Sequence, residues 1–358
     1  MKRLRPLVIA AALAALMIPA APAGANEFAG IVANDVYSSG SGAYRAKQFA
    51  AQQAAGIGII RQTLPWAQVE IGPNDYDFTP FDNFVEEAAA HNIRVLPILF
   101  DPPPFRSSRP ARHAAKGTYF PKNLDDMGEF GAVVAARYGR NGSFWNSHPE
   151  LPNLPVTAYQ IWNEPNLPVY APPKPNAGKY VAMLKAVGPR IKAIDPQAEI
   201  VTAGLPDSRL SKPNIFKYIT QMYQAGAKGT FDTLGINPYA PTASKLISKL
   251  KKIRGIMSRF GDANASLWVT EVGWSDVGPG SPFRAGKTGQ AKRIGQAIAA
   301  LKRSEASLKL RGFFYFAWRD GAVYKGGHDF WGLHTGLLRK NGKSKSALAA
   351  FKKAVARL

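Results

Sequence analysis

The chain has 358 residues, no cysteine, and a formal net charge of +22 from 46 Lys and Arg against 24 Asp and Glu. Without Cys there is no disulfide framework and no thiolate ligand, and the five His form neither an i, i+4 pair nor an H-E-x-x-H string, so a zinc site is not expected. The fold must then be held by packing, for which the length is ample.

Residues 1–25 read as an export leader. Met1-Lys-Arg-Leu-Arg5 is basic, residues 6–20 are apolar but short for a membrane span, and Ala23-Gly24-Ala25 is a small-residue cleavage box. The expectation is cleavage after Ala25, a secreted product, one domain over 26–358, and no membrane span in the mature chain.

Eight β-branched and aromatic-rich runs follow, at 28–37, 56–64, 93–100, 156–162, 199–205, 233–239, 267–272 and 312–318. They are nearly continuous in apolar character, as strands covered on both faces are. Between them lie helical spacings. These are Phe81, Phe84, Val85 and Ala88, then Met127, Phe130, Val134 and Tyr138, then Tyr180, Met183, Leu184, Val187 and Ile191. Further on come Leu246, Leu250, Ile253 and Met257, then Ile294, Ile298 and Leu301, then Leu348, Phe351 and Val355, with a weaker pattern over 44–54. Strand–helix alternation of this count predicts an α/β fold, a (β/α)8 TIM barrel, with an open doubly wound sheet as the alternative.

The barrel is favoured because polar residues collect where the runs end. Asn34 and Asp35 end the first, Arg61 and Trp66 follow the second, and Asp101 follows the third. Asn163 and Glu164 end the fourth, Asn237 and Tyr239 the sixth, Glu271 and Trp274 the seventh, and Trp318 and Asp320 the eighth. A barrel brings such ends to one face, where its active sites are built.

Two strings carry the chemistry. Tyr159-Gln-Ile-Trp-Asn-Glu-Pro-Asn166 and Leu267-Trp-Val-Thr-Glu-Val-Gly-Trp-Ser275 each deliver a glutamate from the end of an apolar run. Two carboxyl groups about 5–5.5 Å apart are what a retaining glycosidase needs, one as acid and one as nucleophile. Their acidities must be set apart by their surroundings. Arg61 and Tyr239 are suitable donors to the nucleophile, and Trp162 and Pro165 are suitable apolar neighbours for the acid.

Asn163-Glu-Pro165 on the fourth strand and Glu271-x-Gly-Trp274 on the seventh resemble the clan A glycoside hydrolases, nearest families 39 and 5. The resemblance spans essentially all of 26–358 and includes Arg61, Tyr239 and Trp318. It implies Glu164 as acid/base, Glu271 as nucleophile, and no metal or organic cofactor. It also implies that Asn163 contacts a sugar 2-hydroxyl, that Arg61 and Tyr239 bond the nucleophile, and that Trp318 floors the −1 subsite, with a cis Trp318–Arg319 peptide. The sequence departs from the clan at Phe100-Asp101 and at Asn237-Pro238-Tyr239, where many members carry His. Sugar identity is therefore decided around Asp101 and Asn237. Trp66, Phe100, Trp274 and Trp331 are candidates for stacking on sugar faces, and Asp35, Asp101 and Asp320 either for contacting hydroxyls or for capping loops.

The charge is lopsided. Residues 241–358 hold 23 Lys and Arg against 6 Asp and Glu. Lys245, Lys249, Lys251, Lys252, Arg254 and Arg259, with Lys292, Arg293, Lys302, Arg303, Lys352, Lys353 and Arg357, predict a basic belt suited to an anionic cell envelope. Arg106, Arg109, Arg112, Lys116, Lys174, Arg284, Lys287, Arg319 and Lys325 fall in loops near the mouth. The sequence thus predicts a monomeric, endo-acting hydrolase of a β-linked polysaccharide, neutral or anionic, with no nucleic-acid partner. An exo-acting β-glycosidase such as a β-xylosidase, a transglycosylase, and an inactive glycan-binding barrel are the alternatives.

Overall fold

The eight apolar runs form eight parallel strands in the computed structural model, which describes residues 26–110, 117–211 and 213–358. They are β1 Ala29–Val32, β2 Ile59–Pro65, β3 Arg94–Phe100 and β4 Ala158–Ile161, then β5 Glu199–Thr202, β6 Thr233–Asn237, β7 Ser266–Val272 and β8 Leu310–Phe316. Each pairs in parallel with the next, and β1 also pairs with β8, with Gly30 opposite Phe314. That last ladder closes the sheet into a barrel and rules out the open-sheet alternative. The proposed leader, residues 1–25, lies outside the described residues.

Among the described residues, eight helices of ten or more residues surround the barrel. They are α1 Gly42–Gln53, α2 Thr79–Ala90, α3 Leu124–Tyr138, α4 Ala177–Ile194, α5 Ile215–Gln224, α6 Ala243–Arg259, α7 Gly286–Arg303 and α8 Ser346–Val355. α5 lies outside the helical spacings that the sequence predicts, yet Ile215, Tyr218, Ile219 and Met222 are buried at helical spacing. Side chains of Ser41, Asn123, Asn176, Asn214 and Thr242 cap five of these helices. Among the described residues no helix is long and apolar enough to cross a membrane.

Two apolar layers result. The larger lies between strands and helices. The smaller fills the barrel with Val32, Ile59, Leu96, Ala158, Val201, Trp268 and Phe314. Gly30 is required inside it, because a Cβ there would lie 2.4 Å from Cδ1 of Phe314. The barrel is thus plugged at its centre, and the open volume lies above the plug, at the C-terminal ends of the strands.

Two local irregularities aim side chains into that volume. Val269 of β7 faces Phe313 of β8, while Val272 faces Tyr315, so three steps on β7 match two on β8. This β-bulge turns the neighbours Thr270 and Glu271 toward the same side. After β4 the chain turns at Trp162, whose φ is +74°, and again at Glu164, at +46°. A bulky residue in that region costs about 1–3 kcal/mol and persists only where its surroundings hold it. Here the Trp162 amide donates to Leu99 O at 3.0 Å, its Nε1 donates to Tyr170 O at 2.7 Å, and Phe100 packs on its ring.

Candidate active site

Above the plug lies a cleft of about 970 Å³, lined by residues that follow most of the strands. Arg61, Asn163, Glu164, Tyr239 and Glu271 all line it. Asn237 is buried beside it.

Arg61 organises one half. It projects from β2 and is 2% exposed. Its Nη1 donates to Glu271 Oε1 at 2.7 Å, its Nη2 to Asn163 Oδ1 at 2.9 Å, and its Nε to Gln160 Oε1 at 2.6 Å. Gln160 is fixed in turn, because its Nε2 donates to Thr202 O at 2.9 Å. Tyr239 donates its hydroxyl to the other oxygen of Glu271 at 2.7 Å. Burial, then the Glu271 charge, push the Tyr239 phenol well above its usual 10, so it remains a donor. Each oxygen of Glu271 thus faces one strong donor. Because Asn163 Oδ1 is committed to Arg61, its amide nitrogen is left for a ligand.

Glu164 sits in the other half with fewer donors. Asn237 Nδ2 donates to Glu164 Oε1 at 2.8 Å, and Thr270 Oγ1 donates to Asn237 Oδ1 at 2.7 Å, which fixes the amide's orientation. Burial, then the charge of Glu271, push the Glu164 carboxyl up to about 8, against smaller opposing effects of Asn237 and Arg61. This carboxyl therefore keeps its proton to higher pH than an ordinary glutamate. The arrangement offers an acid and a hydrogen-bonded carboxylate facing one space. Among the described residues no group of three His, Asp or Glu is placed to hold a metal ion.

Several expected residues lie elsewhere. Trp318 is fully buried outside the cleft, and its Nε1 donates to Gln48 Oε1 on α1 at 2.9 Å. β8 ends at Phe316, so the alternation that would have aimed Trp318 inward stops two residues short of it. Phe316 lines the cleft in its place. The cis peptide is Phe316–Ala317, not Trp318–Arg319. Trp66 begins a short helix, Trp66–Val69, and stacks on Phe130 in the core at 4.9 Å. Trp274 is 1% exposed, and its Nε1 donates to Ala240 O at 2.7 Å. Neither Trp lines the cleft, whereas Phe100 and Trp331 do.

The aspartates hold loops. Asp35 accepts from the Tyr44 hydroxyl at 2.6 Å and pairs with Arg319 at 3.0 Å. Asp320 accepts from Gly336 N and from the buried Lys345, whose ammonium also reaches Asp276 at 2.7 Å. Asp101 adopts φ +60°, its carbonyl accepts from Ala67 N, and it does not line the cleft. Asn237 reaches the site by holding Glu164.

The basic groups also divide. Arg106 is tied to Glu70 and Asp126, and Lys249 of α6 turns inward to Asp207 and Tyr239 O. Arg254 donates to Ala265 O and Leu308 O. Arg109, Lys174, Arg284, Lys287 and Lys325 are exposed with no ion-pair partner among the described residues. Arg112 and Lys116 lie outside the described residues. Arg209, absent from the expected set, lines the cleft.

Gln160, Thr270 and Phe316 join Arg209 among the site residues that no sequence pattern marked. A lone amide inside an apolar strand was the available signal for Gln160, since a buried polar group needs a partner.

No family model and no curated protein matches the chain by sequence. Solved structures do match. A family 39 glycoside hydrolase from Bacteroides cellulosilyticus aligns with a TM-score of 0.63 at 20% identity, over 92% of this chain and 63% of that one. A monomeric β-xylosidase from Caulobacter crescentus aligns at 0.66 and 16% identity, over 91% of this chain and 67% of that one. Xylanase 10B from Thermotoga maritima aligns at 0.60 and 14% identity, over 93% and 96%. This chain therefore spans about two thirds of the length of the first two. It has the barrel fold of the clan A glycoside hydrolases.

Proposed function

We propose that the chain is a retaining glycoside hydrolase that cleaves a β-linked glycan by double displacement. The observation that carries this is the unequal support of two glutamates at one cleft: two donors on Glu271, one amide and a raised acidity on Glu164. In the first step a Glu271 oxygen attacks the anomeric carbon while Glu164 gives its proton to the departing glycosidic oxygen. Arg61 and Tyr239 hold the attacking carboxylate in place. In the second step Glu164, now ionised, takes a proton from water as that water attacks the glycosyl ester, and Glu271 leaves. A sugar hydroxyl in place of water gives transglycosylation.

The test is turnover of a panel of nitrophenyl β-glycosides. Glu164→Gln and Glu271→Gln should each abolish it. With azide, Glu271→Ala should yield the α-glycosyl azide and Glu164→Ala the β-glycosyl azide. Turnover that survives both Gln substitutions defeats the assignment, and a wild-type protein that binds glycans without turnover supports the inactive-barrel reading.

An open cleft of this volume suits an endo-acting enzyme on polysaccharide. One observation favours an exo-acting β-glycosidase as the second reading. Trp66 and Trp274 lie in the core, which removes two of the platforms on which successive sugars would stack. Two matching structures are described as β-xylosidases, from Caulobacter crescentus, which accords with it. Product sizing on a polysaccharide panel separates the two. We further place the enzyme outside the cytoplasm, by the leader at 1–25, where its unpaired cations would meet anionic glycans or envelope polymers.

A further inference from the structure

Nine large hydrophobic side chains are exposed among the described residues, and four of them stand on this one cleft. They are Val169 at 44%, Leu210 at 68%, Tyr324 at 57% and Phe330 at 39%. Exposed apolar side chains scattered singly need no explanation, but a cluster on a ligand cleft does. These four come from three separate loops, after β4, β5 and β8, so no single loop's composition accounts for them. The Tyr324 and Phe330 rings stack on each other, 6.0 Å apart and 5° from parallel.

Val169 and Leu210 stand on the side of the acid, in the loops after β4 and β5, whereas Phe330 adjoins Trp331, which packs on Tyr239. The segment that carries Val169 leaves directly from Glu164: Leu167 N donates to Glu164 O at 2.9 Å, and Tyr170 N to Leu167 O at 3.1 Å. Tyr170 O accepts from Trp162 Nε1, so the segment is held at both ends. Tyr170 itself lines the cleft, beside Val169 and with Tyr324 and Phe330. The charged groups of the rim are Asp207, paired with Lys249 at 3.0 Å, and Arg209.

Most polar groups that could match a pattern of hydroxyls belong to the catalytic floor, in Arg61, Asn163, Glu164, Tyr239 and Glu271, while Asn34, Thr63, Ser208 and Ser281 also line the cleft. Val169 and Leu210 offer a sugar neither a flat face nor a hydrogen bond. What they offer is apolar area, which gains only when an apolar group covers it. We propose that the leaving-group side of the cleft receives the alkyl chain of an amphiphilic β-glycoside, a glycolipid-like substrate, whose sugar occupies the polar floor. This rests on the glycosidase reading above and narrows its substrate class.

The experiment compares methyl, butyl and octyl β-glycosides of the sugar preferred in the nitrophenyl panel, below their micellar concentrations. kcat/KM reports the step in which the aglycone leaves, since the second step is common to the series. Burial of one methylene contributes about fourfold when complete, so partial cover should raise kcat/KM about twofold per carbon, or about 100-fold from methyl to octyl. In a Leu210→Ser, Phe330→Ser double variant the octyl-to-methyl ratio should fall toward one. That ratio is independent of how much variant is folded. A ratio near one in the wild type, with the methyl glycoside turned over, overturns the proposal and leaves the glycosidase reading standing. So does a rise in kcat/KM with added sugar units in place of methylenes. Absence of turnover across the whole nitrophenyl panel overturns both.

Discussion

Arg61 Nη1 stands 2.7 Å from Glu271 Oε1, and the guanidinium carrying it is committed on all three nitrogens. The fork fixes three things at once: the orientation of Glu271, the side of Asn163 that faces the cleft, and the amide of Gln160. Lys offers one point charge and cannot span these partners. Arg61→Lys should therefore lower kcat/KM by about 100-fold, the scale of losing an aligned donor at a reacting group. Arg61→Met should also destabilise by about 3–5 kcal/mol, because Glu271 is left buried without its partner. Nitrophenyl glycoside kinetics and denaturant melts measure the two effects. Wild-type kcat/KM in Arg61→Lys would remove Arg61 from the machinery.

At the end of β8 Phe316 lines the cleft and Trp318, assigned by the resemblance to the −1 subsite, is buried behind it. Phe316→Ala removes a wall of the cleft and should lower kcat/KM with a modest change in melting temperature. Trp318→Phe leaves the cleft alone but strips Gln48 of one of its two donors, the other being Arg319 Nη2 at 2.9 Å. It should cost about 1–3 kcal/mol of stability and leave kcat/KM within about twofold. Thermal melts beside kinetics separate the two variants, and the reverse pattern would restore Trp318 to the subsite.

The difference between these residues shows what the sequence could reveal. Glu164 and Glu271 were legible because each closes a continuous apolar run, and a barrel sends all such ends to one face. The strand count was legible for the same reason. Trp318 was misplaced because period-two alternation carries no mark of where a strand stops, and β8 stops at Phe316. Trp66 and Trp274 were misplaced because a tryptophan just past a strand is equally suited to a mouth or to the packing behind it. Asn237 stands at the end of an apolar run, but its partner, Glu164, is 73 residues away in sequence and no local pattern announces the bond.

The acidity of Glu164 gives a prediction with two readouts. Its carboxyl is held up to about 8, so kcat/KM should fall as pH rises through about 8, when the acid loses its proton. The charge of Glu271 is the second cause of that elevation after burial, so any change that neutralises Glu271 should move the titration of Glu164 downward. The same shift acts on stability. An unfolded glutamate titrates near 4.3, so between about 4.3 and 8 the folded state holds a proton that the unfolded state has lost. The stabilisation from the protonated form is complete below the unfolded value and is lost as pH rises through the folded one. Unfolding free energy should thus decline with pH across this window through Glu164. Glu164→Gln keeps the shape and an acceptor for Asn237 Nδ2 while removing the titration, so its melting temperature should exceed that of the wild type at pH 8 and converge with it toward pH 4.5. Equal melting temperatures at both ends would show that Glu164 ionises at an ordinary pH and is not the acid.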